Sequence, residues 1–365
     1  MLRETGIGLV GVMWISLAAM AQQPATAPAN GQLQPAAATR PSGSGQPLLL
    51  DVVVTGKSGK AVAGLQQQDF TVLDNKRPSE IVSFHAESGT AHAAVPGVTP
   101  EIILILDEVN TPYDRAVYAR EGVVKFLRAN DGKLAYPVTL GFLSDDGLQM
   151  QTAPTLDGAA LATALEHQVQ ALRAIERGAG VYGAEERLKI SMDALENLIE
   201  QEQAKPNRKM VIWVSPGWPL LSGPRDEISA SQEQHVFRSV IRLSAQLREE
   251  RMTLYSVDPS GAADAGESRS TFYENFTKGL TRPKDAVIGD MGLQVLAQQT
   301  GGRVIFGNEM IDRSLETCAE DLGAYYTLTI DAAPADRPNE FHELQVKVAR
   351  PKVTARTRNG YYTQP

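Results

Sequence analysis

Five aliphatic residues in succession, Ile102, Ile103, Leu104, Ile105 and Leu106, stand between Glu101 and Asp107. Such a run cannot alternate as a half-exposed strand, and it is too short to fill an interior helix. It reads as a strand buried on both faces, the kind found in a sheet covered by helices on either side. The run stops at Asp107, and a helical pattern starts a few residues later. In open α/β sheets, ligands gather where the carboxyl ends of strands hand over to loops. Asp107, with Asn110 and Thr111 just behind it, is therefore the first place to look for chemistry.

Further runs repeat the theme. Residues 138–143, 210–214 and 253–257 read as buried strands ending at Ser144, Ser215 and Asp258, and residues 303–306 as a last short one. Between them, apolar residues recur at helical spacing. Tyr113, Val117, Val124 and Leu127 mark one helix, which Pro112 can open with Thr111 as N-cap. Others are marked by Leu161, Leu165, Val169 and Leu172, by Leu188, Met192, Leu195 and Ile199, by Val236, Val240 and Leu247, by residues 293–299, and by residues 309–322. Residues 148–152 fit an edge strand. Residues 260–288 show no clear element and are long for an ordered connection, which predicts a mobile or functional loop.

The two ends have a different rhythm. Residues 48–54, 69–74 and 81–84 are short β segments without a helical period, and β alternation returns at 326–330, 342–348 and 353–362. Neither piece is large enough to hold a core alone, so they are expected to pack together as one small β subdomain. The expected divisions are 47–86 for the N-terminal β segment, 99–322 for the α/β domain and 323–365 for the C-terminal β segment. Ahead of them, residues 22–46 are rich in Pro, Ala, Gln, Ser and Gly and read as a disordered linker. Residues 1–21 combine Arg3, an apolar stretch and Ala19-Met20-Ala21, the pattern of a cleaved signal peptide. That predicts export to the periplasm or beyond, with no membrane span after cleavage. The net charge of −8 argues against a nucleic-acid partner, which would need a basic stripe. The sole cysteine, Cys318, cannot form an internal disulfide; on an apolar helical face beside Leu315 and Leu322, it reads as a buried free thiol.

A resemblance follows from these pieces in order: Asp51 to Val54, Gly64 to Phe70, Ile81 to Phe84, Leu104 to Thr111, Ser256 to Pro259, Thr300-Gly301-Gly302-Arg303 and Gly360-Tyr361-Tyr362. The central unit resembles a von Willebrand factor type A domain, and residues 47–363 are similar to VWFA-related exported proteins of the Acidobacteria type. The resemblance implies an α/β, Rossmann-like domain, with a mostly parallel sheet and helices on both faces. It also implies a metal-ion-dependent adhesion site built on Asp-x-Ser-x-Ser. Asp107 matches the first ligand and Thr111 the last, but Val109 replaces a serine and cannot ligate. The second loop reads Gly178-Ala179-Gly180-Val181-Tyr182 and the third Ser215-Pro216-Gly217, without the expected Thr and Asp. The site is thus expected to be degenerate, with Asp107 and Thr111 as its remnant.

Asp107 can alternatively be structural, accepting backbone N–H groups at the helix start. Asp145 could substitute as a ligand for Mg²⁺ or Mn²⁺, or simply be a solvated turn residue. A phosphatase would need a second aspartate where Val109 stands, no Gly-x-Ser-x-Gly elbow is present, and the histidines show no metal spacing. The expectation is a non-enzymatic module without a cofactor that binds an unknown protein through the strand-end loops. Trp218 and Leu220, apolar residues in such a loop, are the candidate partner contacts. Metal-dependent adhesion through Asp107 and Thr111, and a hydrolase or phosphatase acting at Asp107, are the alternatives.

Overall fold

Short strands come first: β1 (Pro47–Gly56), β2 (Phe70–Asp74), β3 (Arg77–Ser79) and β4 (Ile81–Ser88). The computed structural model describes residues 47–88, 99–168, 180–219, 228–260, 271–306 and 310–363. Expectations for residues 1–46, for Leu220 and for the second-loop residues Gly178 and Ala179 fall outside them. The aliphatic run forms β5 (Glu101–Asp107), buried along its whole length. After it come α1 (Tyr113–Arg128), β6 (Lys133–Ser144), β7 (Gly147–Met150), β8 (Thr155–Asp157), α2 (Gly158–His167), α3 (Gly180–Glu202) and β9 (Lys209–Val214). The α/β part continues through α4 (Ala230–Glu249), β10 (Met252–Val257), α5 (Leu293–Gln299), β11 (Val304–Ile305) and α6 (Ile311–Ala319). The chain finishes with β12 (Ala324–Asp331), β13 (Phe341–Val348), β14 (Val353–Arg356) and β15 (Gly360–Tyr362).

The central sheet runs β11-β10-β9-β5-β6-β7, with β8 also on β6. Its first five strands are parallel, and β7 and β8 join antiparallel at the edge. Alternation along β5 divides the core. Ile102, Leu104 and Leu106 face a layer built from α1, α2 and α6, whereas Ile103 and Ile105 face α3, α4 and α5. A strand with helices on both faces has no solvent side, so every position from 102 to 106 is apolar. This is the mostly parallel α/β class with helices on both faces.

The remaining strands form two four-stranded sheets, β14-β1-β12-β4 and β15-β13-β2-β3. Leu50, Val52 and Val54 of β1, Phe70 and Val72 of β2, and Tyr326, Leu328 and Ile330 of β12 fill the space between them. β1 lies between β12 and β14, pairing antiparallel with each along successive parts of its length. The chain ends are therefore interleaved in one sandwich, and residues 44–365 form one compact unit.

Arginine side chains join sandwich to α/β sheet. The residue immediately before each of β9, β10 and β11 is an arginine. Arg208 stacks over the Tyr325 ring at 4.3 Å. Arg251 forks onto Asp51 of β1, with Nη2 donating to Oδ1 at 2.7 Å and Nε to Oδ2 at 3.3 Å. Arg303 donates to Gly59 O and, through two nitrogens, to the buried carboxylate of Asp321.

Two expectations change here. Residues 271–288 are built into the fold: Leu280 and Ala286 pack with Val236, Val240 and Tyr362, and Leu280 N donates to the Tyr362 hydroxyl at 3.0 Å. Apolar contacts too sparse to show a period still anchor that stretch. Thr111 does not cap α1: the N-cap position is Pro112, without a side-chain cap, and Thr111 Oγ1 is buried with no hydrogen-bond partner among the described residues. Among the described residues, no helix is long and apolar enough to cross a membrane.

Cys318 is a free, buried thiol on the inner face of α6. Burial pushes its pKa well up, with the Asp321 carboxylate adding to the shift, so the thiolate that reacts is scarcely populated. The native protein should therefore resist a colorimetric thiol reagent and react stoichiometrically once unfolded in urea. Rapid native labelling would show that the thiol is accessible.

Candidate functional site

Parallel strands bring their carboxyl ends to one edge, and α1 and α3 both start there. Asp107 ends β5 at this edge and is only 2% exposed. Its Oδ1 accepts the backbone N–H of Asn110 at 2.8 Å. Its Oδ2 accepts Asn110 Nδ2 at 2.9 Å and Trp213 Nε1, from the neighbouring β9, at 3.0 Å. Asn110 Nδ2 also donates to Ser191 Oγ of α3 at 2.8 Å, and Ser191 Oγ in turn donates to Arg187 O. A turn of chain, a strand and a helix are thereby tied to one carboxylate.

Burial pushes the Asp107 carboxyl above its usual pKa, while the donors from Asn110, Trp213 and Ser215 pull it back. Nearby stands Arg187, whose Nε and Nη1 are buried without an acceptor among the described residues. Burial lowers its pKa and the Asp107 charge opposes that; guanidinium stays protonated in any case. Arg187 thus supplies fixed positive charge beside Asp107. A small recess passes Asp107, Glu108 and Thr111. Arg120 walls it, with Nη2 donating to Glu108 Oε1 at 3.1 Å.

A divalent cation of the adhesion-site kind needs about six oxygen ligands. Here Val109 offers only carbon and is packed in the core, both Asp107 oxygens are engaged by N–H donors, and Ser215 Oγ accepts Gly217 N at 3.2 Å. Thr111 Oγ1 is uncommitted. This donor set does not fit the ion. Asp145 lies in the turn between β6 and β7, two residues beyond Leu143, the β6 residue opposite Asp107.

Trp218 needs a correction. It is 3% exposed and packs edge-on against Trp213, with ring centroids 5.1 Å apart. Gly217 adopts φ +101°, a left-handed conformation open to glycine, and turns the chain so that Trp218 points inward. A core side chain cannot be a partner contact. Large side chains that face solvent at the helix starts following the parallel strands include Tyr113, the first residue of α1, Tyr182, in the first turn of α3, and Met310, just before α6; they are 68%, 84% and 53% exposed.

Arg187, Ser191 and Trp213 are functional-site residues that sequence reasoning misses. Ser191 has a visible signal: it falls on the same helical face as Leu188 and Leu195, where a polar residue asks for a buried partner.

No family model matches the chain, and no curated relative matches it. Among solved structures it is similar to the VWA domain of SpRpn10, at 11% identity and TM-score 0.29, over 62% of this chain and 98% of that one. It is also similar to the pilus adhesin SpaC from Lactobacillus rhamnosus GG in an open conformation, at 10% identity and TM-score 0.37, over 81% of this chain and 48% of the adhesin. The chain thus spans about half the length of that adhesin. A third likeness is to the N-terminal domain of TFIIH p34, at 10% identity and TM-score 0.26, over 45% and 82% of the respective chains. Likenesses at these TM-scores carry no argument, and the fold class rests on strand order and pairing.

Proposed function

We propose that this is an exported, non-enzymatic protein that binds a protein partner through the loops at the carboxyl edge of its parallel sheet, with a degenerate metal site beneath them. The observation that carries this reading is the exposure of Tyr113 and Tyr182 at the starts of the two helices tied together through Asn110 and Ser191. Solvent-facing tyrosines provide large contact area with few rotatable bonds, and tyrosine is enriched among interface residues that dominate binding. The state of Asp107 supports the non-catalytic part. A nucleophile or metal ligand must present a lone pair, and three N–H donors already occupy most of the acceptor positions of this buried carboxylate. The leader-like residues 1–21 support export.

The test compares partner capture by the full chain and by a Tyr113→Ser/Tyr182→Ser variant, whose exposed changes should leave stability intact. Capture should fall tenfold or more; unchanged capture would sink the proposal. Asp107→Ala separates the alternatives. It should cost about 1–3 kcal/mol in urea unfolding, because Trp213 and Asn110 lose a buried acceptor, and the loss should be the same with and without millimolar Mg²⁺. A Mg²⁺ or Mn²⁺ isotherm abolished by Asp107→Ala would establish metal-dependent adhesion instead. Ester or phosphate turnover abolished by the same change would establish a hydrolase.

A further inference from the structure

At the opposite edge of the sheet, where β10 begins, a small cleft opens to solvent between β1, the end of α4, the start of β10 and the β14–β15 connection. Arg248, Arg251 and Arg358 all line it, with Thr253 and the Asp51 carboxylate beside them. Two of the guanidinia have counter-charges. Arg251 is forked onto Asp51, and Arg248 reaches Glu249, itself half exposed, at 3.3 Å. Asp51 is further shared with Arg208, 4.0 Å away.

Arg358 has no such partner. It is 8% exposed, and its guanidinium makes no ion pair or hydrogen bond among the described residues. Its electrostatic neighbours are Arg248, which repels it, and Asp51, already claimed twice. Burial, then Arg248, push its pKa down to about 9, and Asp51 pulls it up only in part. Arg358 meets solvent only through this cleft, so the cleft is where an anion can reach its guanidinium. Its placement is enforced rather than incidental. Gly301, at φ +89°, passes so close that a Cβ there would lie 2.5 Å from Thr357 C and 2.8 Å from Arg358 N, and Asn359 N donates to Gln299 O at 3.2 Å. The connection carrying Arg358 is pinned against the end of α5.

We propose that this cleft is a binding site for a phosphate-sized oxyanion, held by Arg358 and Arg248 with Arg251 at its rim. Three guanidinia, Arg248, Arg251 and Arg358, line the cleft with one carboxylate, Asp51, and Glu249 pairs with Arg248 outside it, which leaves an excess of positive charge. The planar fork of guanidinium matches the oxygens of phosphate in a paired geometry. The site is independent of the partner-binding reading, since it lies at the other edge of the sheet and uses none of the same residues.

The experiment is thermal unfolding of the full chain titrated with inorganic phosphate, with ionic strength held constant by sodium chloride. A saturable rise of about 4 °C is expected at a hundredfold excess over Kd, and Arg358→Gln should abolish it. Arg358→Gln should also melt at or above the wild-type temperature without phosphate, because it removes an uncompensated buried charge. If that variant fails to fold, Arg248→Gln, at a position nearer solvent, should weaken the apparent phosphate affinity severalfold. Absence of a saturable response in the wild type, or an unchanged response in both variants, overturns the proposal. An equal response to acetate overturns the preference for phosphate and identifies a general carboxylate site.

Discussion

Replacing Asp321 with Ala should cost the fold about 3–5 kcal/mol, the usual penalty for removing one side of a buried ion pair. Asp321 is fully buried beyond α6, and its carboxylate accepts Arg303 Nε and Nη2, Arg356 Nη2 and the Tyr255 hydroxyl. It therefore joins a strand of the parallel sheet, the residue before β11 and the last residue of β14. Without it, two guanidinia packed under the sandwich lose their counter-charge at once. Burial alone would raise the Asp321 pKa, but Arg303 and Arg356, with help from Tyr255, hold it below the ordinary carboxylate range. A folded-state pKa below the unfolded value contributes stability above the unfolded pKa of about 4 and loses it as pH falls through the folded value. Urea unfolding across pH 2 to 7 should thus show the wild type losing stability on acidification more steeply than Asp321→Ala. Parallel acid limbs for the two proteins would contradict the assignment, as would a loss at neutral pH under about 1 kcal/mol.

Gly302→Ala should be of similar severity, about 3 kcal/mol, for a purely steric reason. A Cβ on Gly302 would stand 1.8 Å from Leu254 O and 2.8 Å from Leu254 C. Both are backbone atoms of β10, so no side chain can swing aside, and the overpacking falls at the upper end of the usual range. The contact lies where β11 joins the sheet, Ser256 opposite Val304, so relief must come from separating those strands. Gly59 makes a useful control. It has φ +80°, but a Cβ there would meet nothing within 4 Å, and alanine should cost only the left-handed penalty of about 1–2 kcal/mol. Urea midpoints of the two variants measure the difference, and hydrogen exchange should report faster opening of β11 in Gly302→Ala alone. Equal losses would mean that the close approach is not rigid.

The scaffold was legible because its strands are buried on both faces, a condition that forces unbroken aliphatic runs such as 102–106, 210–214 and 253–257. The small β subdomain was legible from clean alternation at both ends of the chain. What escaped depends on backbone torsion and on distant pairing. Nothing local marks Gly217 as the turn that drives Trp218 into the core, since the glycine could equally have served an open loop. Thr111 in front of Pro112 has the composition of a cap, yet the proline itself takes the N-cap position and strands the hydroxyl. Arg358 looks like any charge in a polar tail; its burial arises only when the β14–β15 connection is pressed against the end of α5. Asp107 was visible as a singular residue, but its donors come from residues 3 and 106 positions away, and the second of these distances has no sequence signature.

The position of β1 between β12 and β14 also sets an order on biosynthesis. Asp51 and its partner Thr327 are 276 positions apart. At about 5–20 residues per second, a nascent chain holds β1 unpaired for roughly 10–60 s before either flanking strand exists. The α/β layers, whose contacts lie within the intervening stretch, can condense during that interval, whereas the sandwich must wait for the last strands. For that time an apolar strand presents two open edges, the condition that invites pairing with other chains. Assembly of this protein is therefore most exposed to aggregation at β1 and is secured only when β12 and β14 arrive.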